Sequence, residues 1–173
     1  MAETYGAIPS EWEHFAKTLK LRKDLLPVVS NPAAKPSPKS TLKAIGKVPS
    51  RYNGQGFVVG MPSWTSIEAS LDNVERWAEE PDHGICIQTR YVRAFDIDVE
   101  DPKLAQEIEN AIDHALPCRV RWNSGKRLLA FRLPGSYSKR VMRVDGGMIE
   151  FLANGQQFIA SGTHPSGARY EWR

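Results

Sequence analysis

The segment Phe95-Asp96-Ile97-Asp98-Val99 admits few folds. Apolar and acidic residues alternate strictly over five positions, which is a strand pattern, because successive side chains of a strand point to opposite faces. Phe95, Ile97 and Val99 then face a core, while Asp96 and Asp98 project together from the other side. Two carboxylates so placed repel each other. The usual remedy is a hard divalent cation bound through oxygen. A chain built round such a strand is a candidate for phosphoryl chemistry.

The 173 residues and 41% apolar content suit one ordinary domain with room for a small appendage. No run approaches the roughly 20 apolar residues of a membrane span. The start, MAETYGAIPSEWEHF, lacks the charged-then-apolar pattern of a signal peptide. A cytoplasmic protein without a membrane partner is expected. Cys86 and Cys118 lie outside any CxxC pair, and nothing completes the fragment His83-x-x-Cys86. Both read as buried free thiols.

The net charge of +3 conceals a strong segregation. Residues 68–113 hold 13 acidic and 4 basic side chains. Residues 114–144 hold 8 basic side chains (Arg119, Arg121, Lys126, Arg127, Arg132, Lys139, Arg140, Arg143) and no acidic one. Cationic groups close behind paired carboxylates suit a polyphosphate or a nucleic-acid backbone.

Ser10-Glu11-Trp12-Glu13 reads as a capping box opening a helix to about Lys20. Residues 27–50, rich in proline and lysine, read as an extended connector or a surface loop. Gly56–Met61 is expected as a strand. Ser66 is placed as the cap of a helix whose apolar stripe is Ile67, Leu71, Val74 and Ala78. Gly84–Thr89 and Val92–Val99 read as two strands paired across Arg90-Tyr91, and Pro102 opens a helix to about Ala115. The strand-like segments that follow are Cys118–Trp122, Arg127–Leu133, Arg140–Asp145, Met148–Leu152, Gln157–Ala160 and Arg169–Trp172. The expected fold is α+β, a mixed and largely antiparallel sheet with packed helices. Two regions are expected: 1–50, the N-terminal helix and connector, and 51–173, the working domain. The stop at Tyr170-Glu171-Trp172-Arg173, directly after an apparent strand, suggests a domain cut from a longer polypeptide.

Three further features join the acidic strand. Asn123-Ser124-Gly125-Lys126-Arg127, read as a turn, offers a hydroxyl, backbone N–H groups and two cations to a triphosphate. Ile149-Glu150-Phe151 sets a carboxylate inside an apolar strand, a costly position unless the group is paired or metal-bound. Gly162-Thr163-His164-Pro165-Ser166-Gly167 is a turn carrying His164, read either as a nucleotide contact or as a structural hydrogen-bonder. Trp122, Tyr137 and Trp172 read as packing residues or as base-stacking platforms.

The order FDIDV, SGKRLLAFRL, IEFLANGQQFIASGTHPSGARYEW resembles the bifunctional primase/polymerase N-terminal domain of phages and plasmids, in the archaeo-eukaryotic primase superfamily. The resemblance covers roughly residues 45–173. It implies an RRM-like catalytic core, with Asp96 and Asp98 as the first motif and Glu150 as the third, together holding two Mg²⁺ or Mn²⁺ ions. The family's second motif carries a His where this chain has Leu128. Lys126 and Arg127, with Ser124 and His164, are then expected at the nucleotide. Arg119, Arg121, Lys139, Arg140 and Arg143 are expected at nucleic-acid phosphates. The implied activity is template-directed nucleotidyl transfer as DNA primase and DNA polymerase, with template, primer, NTP or dNTP and a C-terminal helicase region as partners. Two other functions fit the residues: a metal-dependent nuclease using the same carboxylates, and a non-catalytic nucleic-acid-binding module of a replication protein.

Overall fold

The computed structural model describes residues 4–173. In chain order these form α1 (Pro9–Glu13), β1 (Leu25–Val29), β2 (Ser50–Tyr52), β3 (Val58–Gly60), α2 (Leu71–Ala78) and β4 (His83–Gln88). There follow β5 (Val92–Val99), α3 (Pro102–Ile112), β6 (Cys118–Arg121), β7 (Ser124–Arg132), β8 (Arg140–Val144), β9 (Gly147–Leu152), β10 (Gln157–Ser161) and β11 (Glu171–Trp172). The fold is α+β with antiparallel sheets. Two compact units result. One runs from the N-terminus to Ile87 and takes in Phe158–Gly167; the other comprises Gln88–Gln157 and Ala168–Arg173. This division does not coincide with the boundary expected near residue 50.

In the first unit, α1 begins with Pro9 in its first turn, where a missing N–H costs nothing. The Glu11 carboxylate accepts from the Ile8 N–H at 2.8 Å, so the cap precedes the one expected at Ser10. A π-helical stretch, His14–Thr18, continues the helix. All five residues of β1 are buried, although three of them fall in the stretch read as a connector. Pro27 is tolerated because β1 is an edge strand, in the order β1-β4-β10. Helix α2 starts at Ser70 rather than Ser66. The Asn73 N–H donates to Ser70 Oγ at 3.1 Å, and Asn73 Oδ1 accepts from the Ser70 N–H at 3.0 Å. Gly84 lets β4 lie close to its neighbours: a Cβ there would come within 2.5 Å of Ser161 O and of Ser30 Oγ.

The second unit is a six-stranded sheet, β11-β6-β7-β5-β9-β8, antiparallel at every pairing. Strands β4 and β5 thus belong to different sheets and do not form the expected pair. One face carries α3, which is capped by Asp101 through the Lys103 N–H at 2.9 Å. Its core joins Ile97, Val99, Ala105, Cys118, Leu129 and Ile149. Both thiols are free and buried.

His83 is buried in the first unit, stacked on Tyr52 with ring centroids 6.4 Å apart. Its Nδ1 lies 3.2 Å from Trp77 O, and Nε2 has no hydrogen-bond partner among the described residues. Burial lowers its pKa to about 4. The unfolded chain therefore binds the extra proton first as pH falls. The stability contributed by neutral His83 is complete above about pH 6.5 and drains away towards pH 4. Urea unfolding should show up to about 3 kcal/mol of loss over that window from this group. In His83→Gln the slope between pH 6.5 and 5 should flatten.

Candidate active site

Strand β5 is paired on both sides, with β7 and with β9. Directly opposed residues in an antiparallel ladder point to the same face, their Cβ atoms about 4.5–5.5 Å apart. Asp96 opposes Glu150 on β9 and Leu128 on β7; Leu128 in turn opposes Arg119 on β6. A single row therefore crosses the sheet from Trp172 on β11 through Arg119, Leu128, Asp96 and Glu150 to Val141 on β8. Asp98, two residues beyond Asp96, projects from the same face opposite Met148. The structure brings Asp96, Asp98 and Glu150 together on the side of the sheet away from the Ile97 core.

The acids have basic neighbours. Lys126 Nζ lies 2.7 Å from Asp98 Oδ1 and 3.0 Å from Glu100 Oε1. Its hydrogen bonds to Asp98 and then Glu100 raise its pKa, so it stays charged. The bond from Lys126 holds the Glu100 carboxyl below its usual range. Lys139 Nζ sits 2.5 Å from Glu150 Oε1. Beyond Leu128 in the row, the Arg119 guanidinium lies 4.5 Å from the centroid of the Tyr170 ring, with Arg121 at 5.9 Å. Burial pulls the Arg119 pKa down, against the attraction of Tyr170 and Asp96. Among the described residues no group of three His, Cys, Asp or Glu side chains is gathered tightly enough to hold a metal ion. Three hard carboxylates share one face, two of them turned to ammonium groups.

The segment Ser124–Arg127 is the start of β7 and not a turn. Its residues consequently alternate, and this separates two side chains expected to act together. Lys126 shares the acidic face. Arg127 opposes Ile97 and points to the helix side, where it is buried and donates to Glu109 at 2.6 Å and to Gln106 at 2.8 Å. Burial raises the Glu109 pKa, but the bonds from Arg127 and Arg173 outweigh it and leave the group below its usual range. Gly125 is required because a Cβ there would meet Glu100 O at 2.1 Å. The same approach lets Ser124 Oγ donate to Glu100 Oε2 at 3.2 Å.

Of the other residues singled out, Arg143 opposes Met148 on the acidic face, while Arg140 opposes Phe151 on the helix side; both are exposed. His164 belongs to the first unit, with Nε2 2.7 Å from Lys47 Nζ and Nδ1 2.7 Å from Ser166 Oγ. Trp122 is 78% exposed and packs in no core. Tyr137 packs edge-on against Phe151 at 6.2 Å. Glu100 and Tyr170 carry site contacts that sequence reasoning did not assign. Their partners are set by cross-strand register and by the return of the chain at its C-terminal end.

The opposite-face placement has a measurable consequence. Arg127→Ala should cost about 3 kcal/mol in urea unfolding, because it strips a buried carboxylate of its main partner. Lys126→Ala, at a half-exposed pair, should change stability by less than about 1 kcal/mol.

Comparison with known proteins bears on residues 67–173, which match the family model described as bifunctional DNA primase/polymerase, N-terminal. Neither a curated protein nor a solved structure matches the chain significantly. Among the described residues no helix is long and apolar enough to cross a membrane.

Proposed function

The chain belongs to the family of bifunctional DNA primase/polymerase N-terminal domains, and from that premise we propose that its second unit is a template-directed nucleotidyltransferase of phage- or plasmid-type replication. The reading rests on one observation above all, the register that sets Asp96 opposite Glu150 with Asp98 alongside. These three carboxylates are the residues to hold two Mg²⁺ or Mn²⁺ ions. Such ions, when bound, activate a 3′-hydroxyl and neutralise the charge that builds on the departing pyrophosphate.

The remaining work is positioning and charge neutralisation by side chains. Lys126 is assigned to the triphosphate of the incoming nucleotide, since its ammonium group already stands beside Asp98. Leu128 is fully buried in the row and brings no polar atom. The second phosphate contact therefore falls to Arg119, the next residue of the row. Arg127, committed to Glu109, takes no part. Arg121, Lys139 and Arg143 are assigned to template or primer phosphates. The six-stranded sheet with α3 on one face is read as an RRM-like core.

Primer extension on a primed template with Mn²⁺ tests this. Asp96→Asn, Asp98→Asn and Glu150→Gln should each lower the rate at least about 100-fold. A near wild-type rate in any one of them ends the proposal, and a primer that shortens instead of growing points to a nuclease. Binding of single-stranded DNA should weaken steeply with salt, with a log–log slope of about −0.7 per phosphate contact. Removing Arg143 should reduce that slope by one contact.

A further inference from the structure

We infer that the first unit carries a second nucleotide-binding site, in the cavity that Arg51 of β2 and Arg76 of α2 line together with Trp77. The cavity holds about 400 Å³, within the range of small-ligand pockets and large enough for one nucleotide. Its two guanidinium groups are the main observation. Arg76 Nε donates to Asp72 O at 3.3 Å, which leaves its terminal N–H groups as donors for a ligand. Neither arginine has a carboxylate partner among the described residues. Lys17, Lys23 and Arg127, by contrast, are paired with Glu13, Glu68 and Glu109. Two guanidinium groups in one concavity attract anions. Guanidinium forks are well shaped for phosphate oxygens.

The rest of the lining narrows the ligand. Met61, Ile67 and the Trp77 indole supply apolar surface beside the arginines. Trp77 is braced by Trp12, ring centroids 6.3 Å apart. A flat ring fits an indole and an aliphatic slot. Asn73 uses its backbone N–H and Oδ1 in the cap with Ser70, which leaves Nδ2 as a donor towards the cavity. Phosphate grip, apolar slot and a single amide donor together describe a nucleotide rather than a bare anion. Its source is either a free mononucleotide or a nucleotide within a strand. The inference does not depend on the acidic face, as all these residues belong to the first unit.

The whole chain is titrated in EDTA with AMP, adenosine, inorganic phosphate and oligo-dA, following tryptophan fluorescence. AMP or oligo-dA should saturate at least about tenfold more tightly than phosphate or adenosine. Tighter binding of oligo-dA that Arg51→Ala and Arg76→Ala weaken assigns the site to a strand, and equal or tighter binding of AMP assigns it to the free nucleotide. Arg51→Ala and Arg76→Ala should each weaken that binding about tenfold, while Asp96→Asn leaves it unchanged. Arg51→Gln and Arg76→Gln, which keep part of the aliphatic stem, replace an alanine variant that loses its far-UV circular dichroism. The site does not exist if neither nucleotide saturates, if phosphate binds as well as AMP, or if the arginine variants retain the binding. Loss of primer extension in Asp96→Asn with AMP binding intact separates the two proposals.

Discussion

Strand β5 is hydrogen-bonded along both edges, and this double pairing fixes what each of its faces can do. Ile97 and Val99 must be covered, and α3 covers them. The opposite face then has to accept Asp96 and Asp98, with Glu150 directly across from Asp96. Like charges set opposite each other in a sheet are destabilising. The lysines beside Asp98 and Glu150 return little, because partly exposed pairs contribute at most about 1 kcal/mol. The two lysine pairs therefore offset little of that repulsion. Three acids gathered on one face of the sheet agree with membership of a primase/polymerase family.

The two neighbours Lys126 and Arg127 show how one strand divides its labour. Lys126 is half-exposed beside Asp98 and Glu100, where a flexible ammonium can change partners. Arg127 is locked against Glu109, which also receives Arg173 at 2.9 Å. That buried carboxylate ties α3, β7 and the C-terminal strand together. Cys118 and Arg173 add two backbone bonds, at 2.9 and 3.0 Å, that close the sheet at β11. The site thus rests on a charged anchor placed on its reverse side.

The alternation of Phe95–Val99 was legible in the sequence because period 2 directly reports a two-faced strand. It does not report which strands lie alongside. That Glu150 opposes Asp96 was open until register was known, and the resemblance to the family, not periodicity, joined them. The segment Ser124–Arg127 misled because Ser and Gly favour turns in isolation. Here Gly125 serves close approach to Glu100 within a strand. Leu25–Val29 went unread because Pro27 argues against a strand, and only its edge position permits it. The caps at Ile8 and Ser70 lie within a few residues of their expected places, the shift being set by Pro9 and by Asn73. Tyr170 and Glu100 gave no local signal at all, since their contacts come from distant parts of the chain.

The chain enters the second unit at Gln88, leaves it at β10 and returns for its last residues. The family-matched span, 67–173, starts after β1 yet contains β4 and β10. A gene trimmed to that span would yield a polypeptide in which the six buried residues of β4 lose the neighbour that pairs with all but one of them. A bare, apolar strand edge recruits any other it meets. Such a fragment would be a seed for aggregation, and the segment Leu25–Val29, however unlike the family it looks, acts as a built-in sheath.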